Sequence, residues 1–374
     1  MLASAIDMNC NECDNGHTGY TIKVDCANKK QWNKIILNFA DATIYQTWSY
    51  GAVRWGTKNI SHIVLKKGEE VLAAVQIRII SVPLIGPIIA YVTRGPMWRR
   101  WGTQRDIDIF RQVIRALRQE YVQKRRLYLR ILPNEFEGQS DDVSRVLDEE
   151  NFCRQSSVPP YRTLLNDLTL SLEDLRKGFY KNWRKNLGRA ERNNLEVREG
   201  HDGDMYRVFM NLYREMADRK RFLSRVDIEE FEQIQNDLPD NQKMNIFICE
   251  DHADAVAALV WSMIGDTAIT VLSATGNKGM ESYASYLLMW RLFERLKEKN
   301  ARVLDQCGID REKNPGGYSF KSGMGGIEAI QIGQYDAYVR SPKVILIRCS
   351  EKLRACWQKT KHTLLLKGRK SFKR

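Results

Sequence analysis

Gly68-Glu69-Glu70-Val71-Leu72-Ala73-Ala74-Val75-Gln76-Ile77 reads as the second strand of a β-hairpin entered through an acidic turn. The same layout returns as Asp251-His252-Ala253-Asp254-Ala255-Val256-Ala257-Ala258-Leu259-Val260, with Ala74 and Ala258 standing 184 positions apart. Further strands, a long helix and another strand follow each copy: Asp106 to Lys124 then Leu127 to Leu132, and Ser282 to Lys299 then Val303 to Ile309. Leu129 and Leu304 in the last strands are 175 positions apart, so the offset is kept to within about ten residues. Two copies of one α/β unit also suit a chain of 374 residues, which exceeds the ~100 to 200 residues of an ordinary domain.

This divides the chain into an irregular leader (1–26), a first unit (27–160), a second unit (161–340) and a basic tail (341–374), with Ser156-Ser157-Val158-Pro159-Pro160-Tyr161 as the link between units. The apolar run from Ile79 to Thr93 holds Pro83, Gly86 and Pro87 and falls short of the ~20 residues a membrane span needs. It reads as two buried strands and a turn.

Hydrophobic residues at 43% and charged residues at 28% describe a folded chain rather than a disordered one. The net charge of +13 is localised: from Arg340 to Arg374 twelve basic residues face one acid, Glu351, leaving the body at +2. That excludes a body that grips polyanions indiscriminately. Eight scattered cysteines, behind a start that lacks a basic region and an apolar core, predict a reduced, cytoplasmic protein. Cys10, Cys13, His17 and Cys26 are of zinc-ligand type, but the segment is short and irregular, and the five histidines show no paired helical spacing, so no metal site is expected.

From Leu172 an amphipathic helix is predicted: Leu172, Leu175, Phe179, Trp183, Leu187 and Ala190 form its apolar face, opposite Lys177, Lys181, Arg184, Lys185 and Arg192. The densest candidate for chemistry is Gly316-Gly317-Tyr318-Ser319-Phe320-Lys321-Ser322-Gly323-Met324-Gly325-Gly326, where five glycines let a backbone approach a ligand around one lysine. Such a loop suits an anion or a developing oxyanion. Plain tight turns with an exposed Lys321 are the alternative.

The run Gly308-Ile309 … Tyr318-x-Phe320-Lys321-x-Gly323-x-Gly325-Gly326 … Ile332-Gly333-x-x-Asp336 resembles the terminal signature of the Fem aminoacyltransferases, which build peptidoglycan interpeptide bridges. Tyr91-Val92-Thr93-Arg94-Gly95-Pro96, Trp183 to Ala190, Ala217 to Phe222 and Gln46-Thr47-x-x-x-Gly51-x-x-Arg54 resemble other pieces of that family in the same order. The resemblance implies a pair of tandem acetyltransferase-like (GNAT-like) α/β domains, without the long coiled-coil arm some members carry. It implies transfer of an amino acid from aminoacyl-tRNA to the amine of a nucleotide-linked (UDP) or lipid-linked muropeptide, with no cofactor. Carried over by position, Lys321 would stabilise the tetrahedral intermediate beside Phe320. Arg54 and Arg219 would bind the precursor's diphosphate, with Gly325 and Gly326 in the substrate loop. Asp305, Asp310 and Asp336 are candidates for a proton relay.

An acyl-CoA-dependent N-acyltransferase is the rival reading, kept open by Ala274-Thr275-Gly276-Asn277-Lys278-Gly279 before a helix, and a non-catalytic tRNA- or envelope-binding protein is a third. In the tail, Leu346, Leu353, Trp357 and Leu364 share a helical stripe opposite Arg348, Lys352 and Lys359. This predicts a basic amphipathic helix that lies on an anionic membrane, grips tRNA, or packs on the second unit.

Overall fold

The computed structural model describes residues 11–15, 19–220 and 227–340, with 342, 344, 345 and 347. Among the described residues fifteen strands form two sheets. The strands are β1 (Asn11–Asn15), β2 (Tyr20–Val24), β3 (Ile60–Lys67), β4 (Glu70–Val82), β5 (Gly86–Thr93), β6 (Tyr128–Leu132), β7 (Cys153–Arg154), β8 (Arg162–Asp167), β9 (Leu195–Gly200), β10 (Asn245–Asp251), β11 (Asp254–Met263), β12 (Thr267–Thr275), β13 (Val303–Asp305), β14 (Ile327–Ile330) and β15 (Tyr335–Ala337). The first sheet runs β1-β2-β3-β4-β5-β6-β15-β7 and the second β14-β8-β13-β12-β11-β10-β9.

The internal repeat is structural. In the first unit β3, β4 and β5 are antiparallel, the helix Ile107–Leu117 crosses over, and β6 returns parallel to β5. In the second, β10, β11 and β12 are antiparallel, the helix Ala284–Glu298 crosses over, and β13 returns parallel to β12. The alanine pairs hold the same register: Ala73 faces Leu65 just before a bulge at Leu65/Lys66, and Ala257 faces Cys249 just before a bulge at Cys249/Glu250. These are two tandem GNAT-like units.

Apolar periodicity explains the packing. Phe110, Val113, Ile114 and Leu117 of the first crossover helix bury against Ile63, Val75, Ala90 and Leu129 of the first sheet. Leu287, Leu288, Leu292 and Phe293 do the same over the second sheet, where they meet Leu175, Phe179, Trp183, Leu187 and Ala190. Each such side chain removed from water contributes about 1.5–3 kcal/mol. The predicted helix is, however, two helices, Leu172–Gly178 and Lys181–Ala190, and its apolar face survives the break. The opposite face of the second sheet is covered by the helices Gly203–Lys220 and Ile228–Asp237, joined in one core by Ile44 and Tyr50 from the first unit. Among the described residues there is no long two-helix arm and no helix long and apolar enough to cross a membrane.

Part of the expected irregular leader is ordered: β1 and β2 extend the first sheet because Ile22 and Val24 alternate into its core. Cys26 is disulfide-bonded, against the expectation of reduced cysteines throughout, while Cys153, Cys249 and Cys307 are free. Scatter along a sequence does not report which thiols meet in space. Cys10 and His17 lie outside the described residues, as does the basic helix expected in the tail, apart from the few positions named above.

The units are spliced together at three places. The turn between β11 and β12 docks on the first unit, where Gly265 N and Asp266 N donate to Ala42 O and Ala40 O at 3.1 and 2.7 Å. After β14 the chain crosses back: Gln331 N donates to Tyr161 O, Ile332 N donates to Glu135 O, and β15 pairs with β6 and β7. Third, Arg94, buried between the rings of Tyr45 and Tyr161 at 4.8 and 4.5 Å, reaches the carboxylate of Asp305 at 3.4 Å.

A Cβ on residue 265 would lie 2.1 Å from Ala40 O, a backbone atom with nowhere to go. Gly265→Ala is expected to destabilise the protein by about 1–3 kcal/mol, read as a lower urea midpoint with the m-value unchanged. Arg94→Met strands the Asp305 carboxylate in the interior and is expected to cost about 3–5 kcal/mol in the same measurement.

Candidate functional site

The two units differ where parallel strands meet. β5 and β6 stay paired over five residues, from Ile89 opposite Tyr128 to Thr93 opposite Leu132, and Arg94 N extends the ladder to Leu132 O. β12 and β13 pair only from Thr267 opposite Val303 to Ile269 opposite Asp305. Gln306 N then bonds Leu164 O of β8, so the chain leaves β12 and the rest of that strand faces a gap. A cavity of about 540 Å³ opens there, lined by Thr270, Ser273 and Thr275 of β12, by the start of the helix Ala284–Glu298, and by Phe320 and Lys321.

The glycine-rich segment is not a loop. Residues Pro315–Ser322 form a helix, because Pro315 presets its first turn and the Asn314 side chain caps it by accepting from Gly317 N at 3.0 Å. The lysine thus sits on a rigid element. Lys321 Nζ donates to Cys307 O at 3.1 Å and Gly308 O at 3.0 Å, which leaves one of its three donors for the cavity. Burial lowers its pKa below the ordinary lysine value, against the pull of Cys307 and Asp305. Phe320 packs edge-on against Tyr286 at 5.0 Å, and its carbonyl accepts from Trp183 Nε1 at 3.1 Å.

The segment after this helix explains the break in the amphipathic helix. Tyr180 N donates to Gly323 O, and Gly325, at φ +73°, presses on Gly178, whose carbonyl would lie 2.6 Å from any Cβ there. A Cβ on Gly326 would lie 3.0 Å from Leu165 O. Gly325 and Gly326 therefore act as close-packing points that seat the helix and do not line the cavity.

Asp305 braces the turn that follows β13. Its Oδ1 accepts from Cys307 N at 2.8 Å and from the Thr163 hydroxyl, and its Oδ2 faces Arg94. Cys307, at φ +60°, turns the chain there. Burial and the Asp305 charge push its thiol up to about 11 against Arg94 and Lys321, so at neutral pH it is a thiol and not a nucleophilic thiolate.

Arg219 joins Lys321 and Phe320 at the cavity, held by Thr275 O and Asn277 Oδ1, both at 2.7 Å. Arg54 does not line it: on the helix Trp48–Trp55 it pairs with Glu230 at 2.9 Å and donates to Tyr50 OH at 2.6 Å. Asp310 is spent on an exposed turn, accepting from Glu312 N and Lys313 N. Asp336 belongs to the first sheet, where Arg130 and Tyr128 OH hold it. The relay candidates are thus three separate environments, and only Asp305 adjoins Lys321.

Sequence reasoning passed over Gln306. It is buried, lines the cavity, and its orientation follows from a chain of donors: Asn166 Nδ2 donates to Met324 O, so Asn166 Oδ1 accepts from Gln306 Nε2 at 2.6 Å. That leaves Gln306 Oε1 as a buried acceptor without a partner among the described residues. Its position between Asp305 and Cys307 was the only signal. Lys220 also lines the cavity, which carries three cations and no carboxylate among its described lining residues.

No protein-family model matches this sequence, and no curated protein matches it. Solved structures match it in fold. FemX superposes with a TM-score of 0.73 at 14% identity, over 87% of this chain and 99% of that one. The C-terminal domain of a protein assigned as a lysylphosphatidylglycerol synthetase from Agrobacterium fabrum gives 0.57 at 9% identity, over 87% and 98%. A conserved protein of unknown function from Bacteroides thetaiotaomicron gives 0.50 at 12% identity, over 84% and 98%. With its two spliced units and its parted strands β12 and β13, the chain has the tandem GNAT-like fold of FemX.

Proposed function

We propose that the chain is an aminoacyltransferase that moves an amino acid from aminoacyl-tRNA to the amine of a peptidoglycan precursor side chain. The observation that carries this reading is Lys321, fixed on a helix by two carbonyls with one donor left for a cavity that is otherwise rich in cations. An aminoacyl ester is already activated, so the enzyme needs to position two substrates and stabilise an oxyanion; it needs no metal and no covalent intermediate. The remaining Lys321 donor would meet the ester carbonyl oxygen as it gains charge. Gln306 Oε1 would accept an N–H of the attacking amine and aim its lone pair at the carbonyl carbon. As the C–N bond forms and the ester C–O bond breaks, the amine proton passes to the departing ribose oxygen. Asp305 has its lone pairs engaged by Arg94, Thr163 and Cys307 N and serves as a fixed support. Arg219 and Lys220 would receive substrate phosphate.

The fold of FemX supports this choice over other acyl transfers, as does the ordered set of sequence resemblances. The test is transfer of radiolabelled amino acids from a mixed aminoacyl-tRNA pool to UDP-linked and lipid-linked muropeptides. Lys321→Ala is expected to lower kcat/KM by about 10²–10³-fold, the effect of removing one oxyanion donor. Gln306→Met is expected to weaken use of the amine about ten-fold while leaving the tRNA KM unchanged. Consumption of acyl-CoA with no tRNA-dependent product would overturn the proposal.

The pH profile supplies a further prediction. The amine must lose a proton, so the rate rises with pH on the acid side. Lys321 must keep its proton, and burial places its pKa below the ordinary lysine value, so the rate falls on the alkaline side before ~10.4. Lys321→Arg, whose charge persists, is expected to abolish that alkaline limb in whatever activity remains.

A further inference from the structure

The basic face of the helix Lys181–Ala190 has no part in the cavity's chemistry. The apolar residues Trp183, Leu187 and Ala190 of this helix are buried in the second core. Lys181 and Lys185, one turn apart on the other side, and Arg192 in the turn that follows are exposed, and none of the three has a hydrogen bond or ion pair among the described residues. Nearby acids are engaged elsewhere: Glu191 holds Arg176 at 2.6 Å and Glu173 holds Lys177 at 2.7 Å. Like charges one turn apart repel, so the row is unfavourable in the free protein. Gly188 stands inside it. A glycine within a helix weakens it, and packing gives no reason for one here, since a Cβ on residue 188 would meet only the Arg192 guanidinium, at 3.8 Å. The result is a stretch of bare helix backbone between Lys185 and Arg192.

The adjoining flank of the same helix is built into the cavity wall. Trp183 packs on Phe320 with ring centres 5.9 Å apart, Asn186 Nδ2 donates to Tyr286 OH at 3.0 Å, and Arg189 donates to Tyr283 OH at 2.8 Å. Phe320, Tyr286 and Tyr283 all line the cavity. The row of cations therefore runs along the outside of the wall whose inner side carries Phe320. Tyr180, 61% exposed, stands at the N-terminal end of the row.

We propose that Lys181, Lys185, Gly188 and Arg192 seat the phosphate backbone of the donor tRNA, with its single-stranded 3′ end passing over the wall into the cavity and Tyr180 offering a ring face to a base or ribose. The identity of the partner rests on the transfer reaction proposed above. Phosphates supply the negative charge that the row lacks, and the bare backbone at Gly188 lets a sugar–phosphate chain come close. The ester of an aminoacyl-tRNA sits on its terminal ribose, so the paired part of the molecule must lie outside a cavity of about 540 Å³, and the row is at that boundary. A bilayer is a poor occupant, because a helix that lies on one turns its apolar face to the lipid and here that face is consumed by the core.

Fluorescence anisotropy of a fluorescein-labelled, deacylated tRNA titrated with the full chain reads binding without amino acid or muropeptide. Lys181→Gln/Lys185→Gln/Arg192→Gln is expected to weaken binding at least about ten-fold at about 0.1 M salt and to lower the slope of log affinity against log salt by about 2–3, with an unchanged unfolding midpoint. Gly188→Leu keeps every charge and is expected to weaken binding about ten-fold, with an unfolding midpoint no lower than that of wild type. Unchanged affinity in the triple variant, or no tRNA binding by wild type, overturns the proposal, and unchanged affinity in Gly188→Leu overturns the close approach at that glycine. Loss of binding to mixed phosphatidylglycerol–phosphatidylcholine vesicles in the triple variant, with tRNA affinity unchanged, overturns it in favour of a bilayer. tRNA binding that depends on the row, without transfer of any amino acid, supports the docking surface and removes the reaction. tRNA-dependent transfer that the triple variant performs with an unchanged tRNA KM removes the docking surface and keeps the reaction.

Discussion

The carboxylate of Asp305 is the constraint on which the site depends. A buried carboxylate costs several kcal/mol unless its charge and lone pairs are met, and here Arg94 meets the charge while Thr163 and Cys307 N meet the lone pairs. The Cys307 bond ends β13 and turns the chain at a residue with positive φ. That turn presents the carbonyls of Cys307 and Gly308 to Lys321. Arg94 comes from the first unit, so the catalytic lysine of the proposed reaction is held in place by a charge from the other half of the chain.

The two units show how one topology yields an open cavity in one copy and a closed sheet in the other. Both carry the alanine pair next to a bulge and both send a helix over to a parallel strand. In the first, five continuous pairs between β5 and β6 close the sheet, and the end of β5 delivers Arg94 to its buried contact with Asp305. In the second, pairing stops after three residues and the sheet opens into a cavity. The crossing from β14 to β15 then ties the segment that follows Lys321 back to the first sheet, so neither unit is complete without the other.

Particular residues show what could be read in advance. The hairpin strands around Ala74 and Ala258 were legible because alternation and an acidic turn are local signals. The face of Leu175, Phe179, Trp183, Leu187 and Ala190 was legible because burial on a helix imposes its period on the sequence. The break at Phe179 and Tyr180 was not, because it is made by Gly323 and Gly325 arriving from about 145 residues away. The glycines of 316–326 suggested a loop; a proline and an asparagine cap at the start made a helix of them. Asp336 was grouped with Asp305 as a relay candidate, yet it pairs with Arg130 in the other sheet.

The repeated α/β unit with its strands and amphipathic helices could be read from the order of residues, since periodicity and turn chemistry are written locally. Only the tertiary fold decided that β12 and β13 part, that Gln306 keeps an acceptor without a partner among the described residues while Asp305 does not, and that Arg54 faces Glu230 instead of the cavity. Those outcomes turn on which polar groups find partners across the fold, and a buried polar group's partner is chosen by distance in space, which the order of residues along the chain does not report.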